Sequence, residues 1–197
     1  MNISPMRHLL ANGSPRRGRA AFAMGLLAGL AVATLAGSAL AAGGNLVANG
    51  SFEKDSNGDG MPNNWADNGS SGPIPRRNCK QSYAGSCSLK FAFDDLNKFV
   101  EQNIASGGNS YESYKLTFWV KTKQVVAAGG VIRIDLKLLP SGGYNYIYVP
   151  EGSATWTKYS ITLESTADFT STYIELVANP QSGKAWFDKV KLVGPLP

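Results

Sequence analysis

Asn45–Trp65, NLVANGSFEKDSNGDGMPNNW, is the stretch whose reading decides the fold. A short apolar strand, Asn45 to Val47, leads into a Gly turn, then a Phe52-Glu53 pair, then an acidic DxNxDG loop that ends at Trp65. Glycine admits the positive backbone angles of tight turns, and Asn and Asp bond their own backbone there.

Upstream, residues 1–42 have the order of a secretion signal. Arg7, Arg16, Arg17 and Arg19 precede an apolar, small-residue run from Ala20 to Leu35, and Ala39-Leu40-Ala41-Ala42 supplies an A-x-A-like cleavage site. Gly and Thr interrupt the run and no stop-transfer charges follow it. Cleavage is therefore expected, rather than a lasting membrane anchor, with a secreted, periplasmic or cell-surface location. Ser14-Pro15-Arg16-Arg17 is a weak twin-arginine pattern, because Gly18, Arg19 and Ala20 follow where apolar residues would be expected.

The expected mature chain, residues 43–197, has the size of one domain with a single core. The signal holds four of the nineteen basic side chains and none of the fourteen acidic ones, leaving fifteen against fourteen, or about +1 by counting. A nearly neutral chain gives no support for nucleic acid as a partner. The cut also removes His8, the one histidine. That excludes Ser-His and Cys-His catalysis and histidine-ligated zinc. Cys79 and Cys87 are the two thiols. Export favours a disulfide between them, worth ~2–3 kcal/mol on the chain-entropy model, with two free thiols as the alternative.

Downstream, no sustained helical period occurs, and turn residues punctuate the chain every ten residues or so. Strands are expected at Asn45–Val47, Ser88–Phe93, Tyr114–Lys121, Val131–Leu139, Tyr144–Val149, Thr155–Leu163, Tyr173–Ala178 and Ala185–Val193. This spacing reads as an antiparallel β-sandwich. Alternation sends Leu116, Phe118, Val120, Ile132, Ile134, Leu136, Leu138, Tyr159, Ile161, Leu163, Ile174 and Leu176 inward. It turns Trp119, Arg133, Asp135, Trp156, Tyr173 and Glu175 outward, an unusually aromatic set for a face that merely meets water.

The closing segment Ala185–Gly194, AWFDKVKLVG, pairs with the opening stretch. Together they resemble the two ends of CenC-type carbohydrate-binding modules, the family 4/9/22-like group with a galactose-binding-domain-like jelly roll. The resemblance covers nearly the whole mature chain, and its motifs belong to the scaffold. It implies a structural calcium tying the first strand to the last, held by Glu53 of the NGxFE-like segment and Asp188 of the FDxVxL strand. Calcium accepts oxygen ligands in irregular geometry, and a carboxylate on an otherwise buried strand face needs a cation or several donors. Without a metal, Glu53 caps a turn and Asp188 begins a surface strand.

A second calcium candidate is the loop with Asp55, Asn57 and Asp59. It repeats the first half of an EF-hand-like loop but has Ala66 where the bidentate Glu would stand. It also resembles the DxNxDGxPD loops of thrombospondin-type repeats, with Asn63 at the usual Asp. The same composition makes an ordinary solvated turn.

Sugars present apolar C–H faces and polar edges, which flat rings flanked by hydrogen-bonding groups can match. The expected glycan surface combines Trp119, Trp156 and Tyr173 with Arg133, Asp135 and Glu175, and adds Tyr144 and Tyr146 from the run YNYIY. The alternative is an aromatic face covered by the 101–113 and 122–130 connections. Two other function classes remain. A structural or adhesive component of the envelope or matrix would use the same scaffold. A glycosidase could use Asp135 and Glu175, and a lyase Tyr146 and Arg133, although neither pair has a flanking signature.

Overall fold

The computed structural model describes residues 44–197, so the expected signal, residues 1–42, lies outside the described residues. Ten strands follow one another: β1 (Ala66–Asp67), β2 (Arg76–Asn78), β3 (Ser88–Ala92), β4 (Lys98–Ile104), β5 (Ser113–Val126), β6 (Ile132–Leu139), β7 (Gly143–Tyr148), β8 (Gly152–Glu164), β9 (Ser171–Ala178) and β10 (Ser182–Val193). They form two antiparallel five-stranded sheets, the first ordered β1-β4-β9-β6-β7 and the second β2-β3-β10-β5-β8. This is the expected antiparallel sandwich of jelly-roll type. Among the described residues no helix is long and apolar enough to cross a membrane.

The alternation sorts the long strands as expected. Leu116, Phe118 and Val120 of β5, Ile134, Leu136 and Leu138 of β6, and Ile174 and Leu176 of β9 are buried between the sheets. Tyr159 lies partly buried on that face, its ring stacked on Phe118 at 5.5 Å. Each such side chain removed from water contributes roughly 1.5–3 kcal/mol, and that shared interior holds the layers together.

Besides the short strands β1 and β2, which the expected set lacks, two elements differ. Asn45–Val47 is not a strand. It runs beside the end of β10 on single bonds, with the Leu46 amide donating to Leu192 O at 2.9 Å and the Leu192 amide to Asn45 Oδ1 at 3.1 Å. Gly50 continues this contact, its carbonyl accepting from the Val190 amide at 2.8 Å. A Cβ there would run into the Val190 carbonyl, so glycine is needed for the close approach. Strand β4, in turn, occupies part of the segment read as a connection. Its inward positions include Lys98 and Gln102, which break the apolar rhythm. Buried Lys98 is satisfied by Asp94 at 2.8 Å and Pro73 O at 3.1 Å. Gln102 exchanges two 2.8 Å bonds with the Ala48 backbone.

The closing strand also differs in detail. Between Asp188 and Lys191, β10 uses three steps where β5 uses two, Trp119 to Thr117, and Lys189 has φ 52°. This β-bulge resets the phase. Asp188 shares the outer side with Trp186, while Val190 and Leu192 turn into the core. The disulfide Cys79–Cys87 is formed.

Candidate functional site

The expected glycan surface is divided between two faces. Arg133 and Asp135 lie on β6, Tyr144 and Tyr146 on β7, and Tyr173 and Glu175 on β9, all in the first sheet. Trp119 on β5 and Trp156 on β8 belong to the second sheet and point away on the opposite side of the molecule. Alternation states which side of its own sheet a residue takes, not which sheet it joins. No single groove holds all eight.

Register builds the outer face of the first sheet in rungs. One rung reads Asn103, Tyr173, Lys137, Tyr144; the next Glu101, Glu175, Asp135, Tyr146; the third Phe99, Val177, Arg133, Tyr148. Directly opposed residues on one face of a pair lie ~5 Å apart at Cβ. Three carboxylates therefore stand side by side in the middle rung. Like charges in that position repel, and the flanking rungs answer with cations. Lys137 Nζ binds Glu175 Oε2 at 2.8 Å and lies 3.9 Å from Asp135 Oδ2, while Arg133 Nε lies 3.0 Å from Asp135 Oδ1. Asn68 Nδ2 donates to Tyr173 Oη at 3.0 Å and to Glu175 Oε1 at 3.3 Å.

The balance is incomplete. Asp135 is fully buried, yet neither of its oxygens has an aligned hydrogen bond, and Arg133 Nε is close without pointing at its partner. Glu101 Oε2 is likewise buried without a partner. Burial raises the Asp135 pKa above the ordinary carboxylate value against the pull of Arg133 and Lys137. Glu101 is raised first by burial and then by Glu175. Along the sheet edge Tyr144, Tyr146 and Tyr148 are exposed, with neighbouring centroids 5.4 and 5.2 Å apart. Arg133 lies over Tyr146 at 5.8 Å, and Lys137 over Tyr144 at 5.8 Å and Tyr173 at 5.2 Å. A cleft of about 400 Å³, lined by Arg133, Asp135, Lys137 and Tyr144 among others, opens on this face. Lys137 and Tyr148 stand on the outward side that strand alternation assigns them, while Glu101 lies in the segment expected to be a connection. Tyr148 was legible as the third tyrosine of YNYIY.

On the second sheet, Trp119 stacks on Tyr83 with centroids 3.7 Å apart and planes 14° apart, and Trp156 meets the edge of Tyr83 at 6.1 Å. Tyr83 sits in the loop closed by the disulfide, so nothing in strand alternation marks it. Asp188 fixes that loop. Its Oδ2 accepts from the amides of Tyr83 at 2.8 Å and Ala84 at 3.1 Å, and Oδ1 from its neighbour Lys189 at 2.6 Å. Glu53 Oε1 holds the other limb through the amides of Ser86 at 2.9 Å and Cys87 at 3.2 Å. Gly85 passes close against the Glu53 carboxylate with φ +77°, a conformation that favours glycine.

Both carboxylates expected to hold calcium thus meet one loop. They are hard donors of the kind calcium takes. Among the described residues no three His, Cys, Asp or Glu side chains gather to hold a metal ion, so main-chain oxygens would have to complete a coordination shell. In the DxNxDG loop the side chains turn on the loop itself. Asp55 accepts from the amides of Gly58 at 3.0 Å and Gly60 at 3.1 Å, Asp59 accepts from Met61 at 2.7 Å, and Asn57 Nδ2 donates to Asp59 at 2.8 Å. That is a self-bonded turn.

No protein-family model matches the sequence, and no curated protein matches it closely enough to count as a relative. Solved structures do match. TmCBM61 in complex with β-1,4-galactotriose superposes with a TM-score of 0.57 at 16% identity, over 76% of this chain and 97% of that one. A family 16 carbohydrate-binding module gives 0.57 at 19% identity, over 76% and 100%. A cyclase from Fischerella sp. TAU, in complex with 4-(1H-indol-3-yl)butan-2-one, gives 0.53 at 14% identity, over 77% and 97%. The chain has the jelly-roll fold of carbohydrate-binding modules, a scaffold on which an enzyme is also built.

Proposed function

We propose that the protein is an exported, non-catalytic glycan-binding module whose site is the outer face of the first sheet. The observation that carries this reading is Asp135, a buried carboxylate that meets Arg133 at 3.0 Å and Lys137 at 3.9 Å without an aligned hydrogen bond to either oxygen. An unsatisfied buried acceptor costs about 1–3 kcal/mol, and sugar hydroxyls are donors that would relieve it. The exposed tyrosines on β7 supply ring faces for the C–H side of a pyranose. Glycan binding by similar folds, such as the galactotriose complex of TmCBM61, supports the reading. Lys137 ties Asp135 to Glu175 instead of leaving an acid and a base apart, which favours binding over hydrolysis.

The test is affinity electrophoresis and calorimetry against a panel of neutral polysaccharides. At least one is expected to bind, and Tyr146→Ala and Asp135→Asn are each expected to weaken it roughly tenfold. Failure to bind any glycan, or unchanged affinity in both variants, would sink the proposal. Assaying the same mixtures for reducing or unsaturated ends is expected to give none.

A structural calcium between Glu53 and Asp188 belongs to the same reading, supported by their convergence on one loop. At a hundredfold excess over its dissociation constant, such an ion would add about 2.7 kcal/mol. Thermal unfolding with calcium and with EDTA reads this directly, and identical melting curves would remove calcium from the account.

A further inference from the structure

The second sheet carries a feature that the glycan reading does not use. On its outer side, Lys90 of β3 and Lys121 of β5 flank Trp186 of β10 in one rung, and Lys184 stands directly opposite Lys123 in the next. With Lys80 they border a cleft of about 290 Å³. Among the described residues none of these five lysines has a carboxylate partner. Lys121 Nζ donates instead to Gln81 Oε1 at 2.7 Å and lies 5.9 Å from the Trp186 ring centroid. Like charges directly opposed across a strand pair are destabilising, so this face concentrates positive charge with no carboxylate within salt-bridge distance of these lysines.

Two orphan groups border the same cleft. Trp186 is 7% exposed and its Nε1–H has no acceptor, and buried Asn78 Oδ1 has no donor. The indole lacks an acceptor and the carboxamide lacks a donor. An inorganic anion offers acceptors only, whereas a sugar that carries both hydroxyls and an anionic group offers both. Trp119 lies two residues before Lys121 on β5, so the Tyr83–Trp119–Trp156 cluster continues the same outer side. Tyr83 and Trp119 occupy one another's facing sides. The exposed Tyr83 ring leaves one outer surface, enough for one sugar ring, whereas single-stranded nucleic acid is tracked by a succession of ring faces.

We propose that this lysine-lined cleft and the neighbouring Tyr83 platform form a second binding site, for an acidic polysaccharide, on the side opposite the first-sheet face. The anionic group lies among Lys90, Lys121 and Lys184, its hydroxyls reach Asn78, and an adjoining ring covers Tyr83. Since the two sites share no residue, the second stands or fails independently of the first.

The experiment measures binding of the protein to polygalacturonate, dextran sulfate, uncharged dextran and an oligothymidylate of matched charge, at low and moderate salt. Polygalacturonate is expected to bind and dextran not. A Lys90→Gln, Lys121→Gln, Lys184→Gln triple variant is expected to lose roughly tenfold or more and to show a flatter salt dependence. Its folding is checked by thermal melting; the substitutions are on the outer face and relieve repulsion. Tyr83→Ala is expected to weaken polygalacturonate severalfold while leaving dextran sulfate unchanged, and Tyr146→Ala to change neither. Dextran sulfate binding as well while Tyr83→Ala still discriminates would leave the assignment intact. Retained affinity in the triple variant overturns it. Equal affinity for the oligothymidylate, with Tyr83→Ala affecting no probe, also overturns it, since the face would then be a general polyanion surface.

Discussion

The two outer faces of this sandwich are built by the same strand alternation and have opposite chemistry. The first sheet sets Glu101, Glu175 and Asp135 side by side, beside an edge of exposed tyrosines. The second sets Lys90, Lys121, Lys123 and Lys184 around Trp186. Arg133 and Lys137 offset most of the first face's acidity, whereas the lysines of the second stand without carboxylate partners, so residues 44–197, nearly neutral by count, carry an uneven division of charge. Net charge is a statement about solubility and long-range attraction. It does not report how charge is divided between the sides of a sheet.

Independence of the faces can be broken most forcefully at Asp188. Asp188→Ala leaves the amides of Tyr83 and Ala84 without their acceptor and is expected to cost about 2 kcal/mol in urea unfolding. It should also abolish any binding that depends on Tyr83 while leaving first-face affinity of the folded fraction unchanged. Equal losses on both faces would show that the sheets communicate. Tyr146→Ala tests the opposite side. It is expected to lower neutral-glycan affinity by ~1–1.5 kcal/mol in calorimetry with no effect on an acidic polysaccharide.

A smaller effect concerns the carboxylate rung. Glu101 faces Glu175 directly, and burial followed by that neighbour raises its folded pKa above the ordinary value of 4.5. The folded state therefore keeps a proton that the unfolded chain releases, so stability falls as pH rises from the unfolded value through the folded pKa. Glu101→Gln removes this penalty. Thermal melts should show the variant ahead by ~0.5 kcal/mol at neutral pH, with the advantage vanishing below the usual carboxylate range. A constant difference at every pH would assign the gain to packing. The smallest expected change is at Lys123, opposite Lys184. Lys123→Gln should raise the melting temperature slightly at low ionic strength and not at high, because exposed charges are screened by salt.

How far each element was legible follows from what its inward side carries. Strands β3, β5, β6, β8, β9 and β10 announce themselves because their buried positions are apolar, as in Leu116, Phe118 and Val120. β4 is hidden because Lys98 and Gln102 point inward, and their partners, Asp94, Pro73 and Ala48, are set by the fold. The phase of β10 is hidden after Asp188 because a bulge adds a residue without marking the composition. Of the candidate site, Arg133, Asp135, Tyr144, Tyr146, Tyr173 and Glu175 do assemble on one face. Trp119 and Trp156 do not join them, and the partner of both, Tyr83, lies in a disulfide-closed loop that no periodicity reaches.

By itself the sequence determined the β class, the outward or inward turn of most side chains, and the pairing of the two cysteines as the expected crosslink. These are local consequences of period-two geometry and of turn residues. The tertiary structure alone decided which strands share a sheet, and with that which outward residues become neighbours. Cross-strand register is a long-range property: Glu101 meets Glu175 and Lys123 meets Lys184 across separations that no local pattern encodes. The opening stretch Asn45–Trp65 illustrates both halves. Its Gly50 turn could be read directly, but the approach of Gly50 to Val190, and of Glu53 to the loop that Asp188 also holds, exists only once the ends of the chain have met.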